Sequence, residues 1–170
     1  MMQKKVQIIS DGSLDLSQEL TKEKDIEVVP FYVSFDSETY QKEMVEVGVR
    51  EFYQEMVDHP TVFPKTSMPS VHDYYEVFKK HAEEKIPVIC ICITKKFSGS
   101  LQSATTAKDM ILEEYPDAQI TVIDSTLDTV LQGLYVLEAC RLRDMGLEYQ
   151  QIVDALMPIR ETGRIFFTIG

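Results

Sequence analysis

Apolar residues recur along the chain in two rhythms, strand-like and helix-like, that alternate almost to its end. Val6, Ile8 and Ile9 mark a buried strand over 5–10, bounded by Asp11-Gly12-Ser13. Leu14, Leu16 and Leu20 then suit a short helix starting near Ser17. Residues 26–30 give a second strand, and 31–35 alternate at period two until Asp36-Ser37-Glu38, a hairpin turn returning through Thr39-Tyr40. Over 48–58, Val49, Phe52, Tyr53 and Met56 fall at helical spacing, and His59-Pro60 stops them. Residues 61–69 are expected to be a loop. Ser70-Val71-His72-Asp73 fits the S-x-x-D helix start, with Tyr74, Val77, Phe78 and His81 on one face of a helix reaching about Glu84.

The most buried strand is expected at 88–93, a continuous run of β-branched and thiol side chains of the kind covered on both faces in a parallel sheet. An exit loop follows over 94–99, then a helix over 100–114, a strand over 119–123, a loop over 124–128 and a helix over 129–145 with Gly146 at C′. One more helix covers 149–159, and 163–169 read as a strong strand. Strand–loop–helix units with crossovers of this length predict an α/β fold: an open, mostly parallel sheet flanked by helices. Residues 1–162 form one domain on this pattern.

Such sheets bind ligands at the carboxyl ends of their strands. Three loops expected there are crowded with small polar residues: Ser10-Asp11-Gly12-Ser13, Ser98-Gly99-Ser100 and Asp124-Ser125-Thr126. Glycine lets the backbone approach a ligand, while hydroxyls and the free N–H groups of a following helix donate to an anion such as a carboxylate or phosphate. The same residue types also serve as plain helix caps.

Charge narrows the partners. The 170 residues carry 17 Lys+Arg against 28 Asp+Glu, a net charge of −11, so the average field repels nucleic acid and anionic lipid surfaces. A hydrophobic share of 44% matches ordinary globular usage and argues against disorder. The basic start Met1-Met2-Gln3-Lys4-Lys5 is followed by too short an apolar run for a signal peptide. With three cysteines and no disulfide framework, the expectation is a cytoplasmic protein with reduced core thiols.

Several chemistries lack their motifs. There is no P-loop, no G-x-G-x-x-G and no G-x-S-x-G nucleophile elbow. His59, His72 and His81 lack metal-site spacing, and Cys90-Ile91-Cys92 is expected to turn its thiols to opposite faces of a strand, so no metal is expected. His72 reads as a surface residue and His81 as a satisfied core or boundary histidine.

Ordered motifs through nearly the whole chain resemble the DegV family, fatty-acid-binding proteins that include the FakB subunits of bacterial fatty acid kinase. Ser10-Asp11-Gly12-Ser13-Leu14-Asp15-Leu16 resembles T-D-S-x-x-D-L, and Val28-Val29-Pro30-Phe31-Tyr32-Val33 resembles V-V-P-L-x-V. Phe52-Tyr53 resembles an F-Y signature, and Lys65-Thr66-Ser67-Met68-Pro69-Ser70 resembles T-S-Q-P-S. Phe97-Ser98-Gly99-Ser100-Leu101-Gln102-Ser103-Ala104 resembles L-S-G-T-Y-Q-S-A, and Asp124-Ser125 with Gln132-Gly133 resembles D-S…G-Q-G. Gly12, Met68, Ser100 and Leu131 depart from the family residue at their positions.

The resemblance implies a long-chain fatty acid whose carboxylate is hydrogen-bonded by Thr66 and Ser98, with Ser67, Gly99 and Ser100 beside them. Asp11, Ser13, Asp124 and Ser125 would edge the pocket. It further implies a carrier, not an enzyme, that presents the bound acid to a fatty acid kinase, and a second domain entered by the strand at 163–170. Two other readings are an α/β hydrolase or phosphate-handling enzyme using Ser98 or Ser100, for which no base is placed by sequence, and a protein-interaction module with an exposed apolar patch.

Overall fold

The computed structural model describes residues 6–166 and 168. Four strands, β1 (Gln7–Asp11), β2 (Ile26–Val29), β6 (Val88–Cys92) and β7 (Ile120–Asp124), form a wholly parallel sheet in the order β2-β1-β6-β7. A small antiparallel sheet, β4-β3-β5, is built from β3 (Tyr32–Ser34), β4 (Gln41–Lys42) and β5 (Lys65–Ser67). The helices are α1 (Gln18–Glu23), α2 (Val49–Asp58), α3 (Val71–Glu83), α4 (Ser100–Glu114), α5 (Thr129–Asp144) and α6 (Tyr149–Ile159). A single 3-10 turn (Gly12–Leu14) follows β1.

Side-chain alternation divides the core into two layers. Ile8, Ile26, Ile89, Ile91 and Ile123 pack under α5 and α6, whereas Ile9, Val29, Cys90, Cys92 and Ile120 pack under α3 and α4. The continuous apolar run of β6 thus arises because both of its faces are covered. Cys90 and Cys92 share a face, with their sulfurs 3.9 Å apart, which corrects the expectation of opposite faces. Residues two apart in a pleated strand point the same way. All three cysteines are buried and free.

Most elements fall where the hydrophobic rhythm places them. The Ser70 capping box forms, with the Ser70 hydroxyl accepting the Asp73 N–H at 3.1 Å and Asp73 Oδ2 accepting the Ser70 N–H at 2.8 Å. Gly146 takes φ +88°, the left-handed geometry of a C′ glycine. Gly133 lies where α5 crosses the 3-10 turn; a Cβ there would come 2.3 Å from the Leu14 carbonyl oxygen, so only glycine permits this approach.

Two further expectations differ. The segment 61–69 contains β5, an exposed polar strand held by backbone pairing to β3, in which Val33 faces Thr66 and Tyr32 faces Ser67. Lys65-Thr66-Ser67 has no apolar alternation to announce it. Residues 163–166 and 168 lie in no regular element, with no strand pairing to them among the described residues, and Phe166 is 92% exposed; Phe167 and Ile169 lie outside the described residues.

Among the described residues no helix is long and apolar enough to cross a membrane. None of α2's side chains is fully buried, and Val49, Tyr53, Met56 and Val57 are exposed.

Candidate functional site

The sheet order sets where a ligand can enter. From β1 the chain moves outward to β2, and from β6 it moves the opposite way to β7, so β1 and β6 flank the switch point. The 3-10 turn after β1 and the loop 94–99 after β6 both leave that edge. The small antiparallel sheet brings a third segment, β5, to the same region: the thioether of Met68, two residues beyond Thr66, occupies the place where a Gly99 side chain would begin, 2.7 Å from an ideal Cβ.

Beside β2 and β3 lies a groove of about 790 Å³. Leu14, Val28, Val33, Val47 and Phe52 supply apolar walls, and Thr66 and Glu43 are polar residues on its lining. This volume is within the ~300–1,000 Å³ common for small-molecule sites. α2 contributes Phe52, whose ring packs on Phe35 at a centroid distance of 5.2 Å. The other end of the groove is polar, with Lys80, His81 and Glu27.

Alternation along β5 separates the two candidate hydroxyls of that segment. Thr66 shares a face with buried Val33 and lines the groove, whereas Ser67 lies opposite Tyr32 and turns to the other face. Ser98 is half-buried, and its Oγ accepts the N–H of Ser100 at 3.2 Å. That leaves the Ser98 hydroxyl proton to be given to a guest.

Ser100 and Asp11 are wholly buried and bonded to one another. The Ser100 hydroxyl donates to Asp11 Oδ2 at 2.8 Å, and that oxygen also accepts the Ile93 N–H at 2.9 Å. Because the single Ser100 proton is committed to Asp11, the Tyr74 phenol must be the donor in its 2.6 Å bond to Ser100 Oγ. Gln132 donates from Nε2 to Asp11 Oδ1 at 2.8 Å and to Ser10 Oγ at 3.1 Å. Burial pushes the Asp11 carboxyl above its ordinary value, and the bonds from Gln132, Ile93 and Ser100 pull the other way without cancelling it. Burial likewise raises Glu43, aided by the charges of Asp11 and Asp15 and opposed by the Phe31 N–H that its carboxylate accepts at 3.1 Å. A Cβ on Gly12 would meet that Glu43 carboxylate, so the glycine makes room for it.

The remaining candidates build the loops. The half-buried Ser13 hydroxyl reaches Asp128 Oδ1 at 3.5 Å, at the start of α5. Asp124 Oδ1 accepts the Thr126 N–H at 2.9 Å, and buried Ser125 closes its own turn through the Leu127 N–H at 3.1 Å. Of the candidate site residues only Thr66 lines the groove; Ser67, Ser98, Gly99, Ser100, Asp11, Ser13, Asp124 and Ser125 lie off its lining. Tyr74 and Gln132 enter the polar network although neither was singled out for it; Gln132 sits in a motif, but Tyr74 reads in sequence as one more apolar-face residue. His81 is buried and bonds Glu27 Oε2 at 2.6 Å, whereas exposed His59 and His72 lie beside Glu55 and Glu76 on their own helices. Among the described residues no His/Cys/Asp/Glu cluster could hold a metal ion.

Comparison with known proteins agrees with this architecture. Residues 5–170 match the model of a family described as uncharacterised proteins, DegV family. A DegV domain-containing protein of Clostridium acetobutylicum is 33% identical over 153 residues, which is 90% of this chain and 53% of that protein. One from Staphylococcus aureus is 32% identical over 160 residues, covering 92% and 53% respectively. The chain therefore spans about half the length of these curated relatives. Among solved structures, a stearic-acid-binding protein from Eubacterium ventriosum is 46% identical with a TM-score of 0.85, covering 89% of this chain and 52% of that one. A DegV family protein from Thermus thermophilus, described by its fatty acid binding, is 29% identical with a TM-score of 0.78, covering 92% and 54%. In sequence and in fold, this chain belongs to the DegV family.

Proposed function

We propose that this chain binds a long-chain fatty acid, with Thr66 and Ser98 donating hydrogen bonds to the carboxylate and the apolar groove receiving the acyl chain. The observation that carries this reading is the placement of Thr66 on the groove lining, joined to the Ser98 loop through Met68 on Gly99. The relatives described as stearic-acid-binding and fatty-acid-binding support the ligand class. Neutral hydroxyls suit the task. They orient an anion without neutralising it, so a carboxylate oxygen keeps the lone pair needed to attack a phosphoryl group. The protein is then a carrier, and a partner fatty acid kinase performs the transfer that yields an acyl phosphate. Residues 163–170 would lead into a second domain, in keeping with relatives of about twice this length.

A serine hydrolase fits less well. Ser100 has no exposed surface, and its proton is held by Asp11. Ser98 has no imidazole partner among the described residues, and His81 is bonded to Glu27.

Lipid extracted from natively purified protein and analysed by mass spectrometry tests the proposal. A long-chain fatty acid is expected, with occupancy reduced about tenfold, the equivalent of roughly 1.4 kcal/mol, in Thr66→Ala and in Ser98→Ala. Absence of any acyl chain, or wild-type loading in both variants, would overturn it.

A further inference from the structure

The loop 94–99 that carries Ser98 has both of its ends attached to a single oxygen atom. Asp11 Oδ2 accepts the N–H of Ile93, just before the loop, and the hydroxyl of Ser100, just after it. The carboxylate's other oxygen is held by Gln132 from α5, and Tyr74 from α3 donates to Ser100 Oγ. Ser100 in turn gives its backbone N–H to Ser98 Oγ at 3.2 Å. A helix cap would need one of these bonds; this carboxylate collects three donors from three segments at full burial. An apolar side chain would fill the same space without the cost of desolvating an acid.

We propose that Asp11 is a positioning residue for Ser98. Asp11 itself has no exposed surface to offer a ligand. By pinning Ile93 and Ser100 together it fixes the Ser100 N–H, which occupies a lone pair of Ser98 and keeps the hydroxyl proton turned outward to the bound carboxylate. This inference rests on the reading that Ser98 is a ligand-binding hydroxyl. The network also predicts which substitution it tolerates. Gln132 Oε1 is buried without a hydrogen-bond partner, so after Asp11→Asn a flipped Gln132 amide can accept from the new Nδ2, giving up its bond to Ser10 Oγ, while the remaining Asn oxygen keeps Ile93 and Ser100.

The test is titration of the protein with the fluorescent fatty acid cis-parinarate, in wild-type and Ser98→Ala backgrounds, with thermal melts to establish folding. Asp11→Ala is expected to weaken binding about tenfold and Asp11→Asn by less than about threefold, and both effects should vanish when Ser98 is already alanine. Tyr74→Phe keeps the buried ring and removes the donor to Ser100 together with a 3.7 Å contact to Cys92 Sγ; its expected loss of about threefold should vanish in the same way, and it decides the matter should Asp11→Ala fail to fold. Losses that multiply with that of Ser98→Ala, or an unchanged affinity in Asp11→Ala, would overturn the positioning role. An unchanged affinity in Ser98→Ala alone would instead overturn the ligand-binding reading, and the inference with it.

Discussion

The thioether of Met68 rests on Gly99, so close that a Cβ at position 99 would stand 2.7 Å from the sulfur. This contact ties the segment bearing Thr66 to the loop bearing Ser98. Gly99 has φ −80°, ordinary for any residue, so Gly99→Ala meets only the far end of a flexible and partly exposed side chain. Its unfolding free energy should change by less than about 1 kcal/mol. Fatty acid affinity, read by cis-parinarate titration, should nevertheless fall as Met68 is pushed aside and the two segments part.

Neighbouring serines should separate stability from binding. Ser100→Ala leaves the buried Tyr74 phenol only its long 3.7 Å contact to Cys92 Sγ and removes a donor from Asp11, costing about 1–3 kcal/mol in denaturant unfolding. Ser98→Ala, at a half-buried position with one weak backbone contact, should cost under about 1 kcal/mol while reducing fatty acid loading. Equal stability losses in the two variants would contradict this division.

Much of this arrangement was legible in the residues, and the exceptions share a cause. Ile8 and Ile9, or Ile89 and Cys90, announce a sheet covered on both faces because burial is written in hydrophobicity. Thr66 and Ser98 carried a motif but no geometry. Lys65-Thr66-Ser67 gave no strand signal, since β5 exists by backbone pairing to β3 and its side chains are exposed. Likewise, nothing in the spacing of Ser98 and Ser100 shows that one is presented and the other consumed by an acid 89 residues earlier in the chain. Long-range polar partners leave no periodic trace.

Acid should weaken the fold in part through Glu27. Burial raises its carboxyl, but the bond and charge of His81, with Lys80 behind, outweigh burial and leave it below its ordinary value of 4.5. A depressed carboxylate contributes stability that is present above the unfolded-state value and lost as pH falls through the folded one. Unfolding followed from pH 6 downward should therefore show a decline below about 4.5 that is shallower in Glu27→Gln.

The buried thiols should be inert. Burial raises Cys90, reinforced by neighbouring Cys92, and pushes Cys140 up to about 11. Iodoacetamide at neutral pH should leave all three cysteines unmodified in the native protein and alkylate them in denaturant, as read by intact-mass spectrometry. Rapid native labelling at Cys90 or Cys92 would contradict the packing of β6 between its two helical layers.

The most direct measurement follows the headgroup itself. With uniformly ¹³C-labelled oleate, filtered nuclear Overhauser spectra of the complex should place the protons of the methylene beside the carboxylate next to the Thr66 methyl and the Ser98 β-protons, with protons further along the acyl chain near Val33 and Phe52. Contacts from the carboxylate end to Lys80 and His81 at the opposite end of the groove, and none to Thr66 or Ser98, would contradict the account.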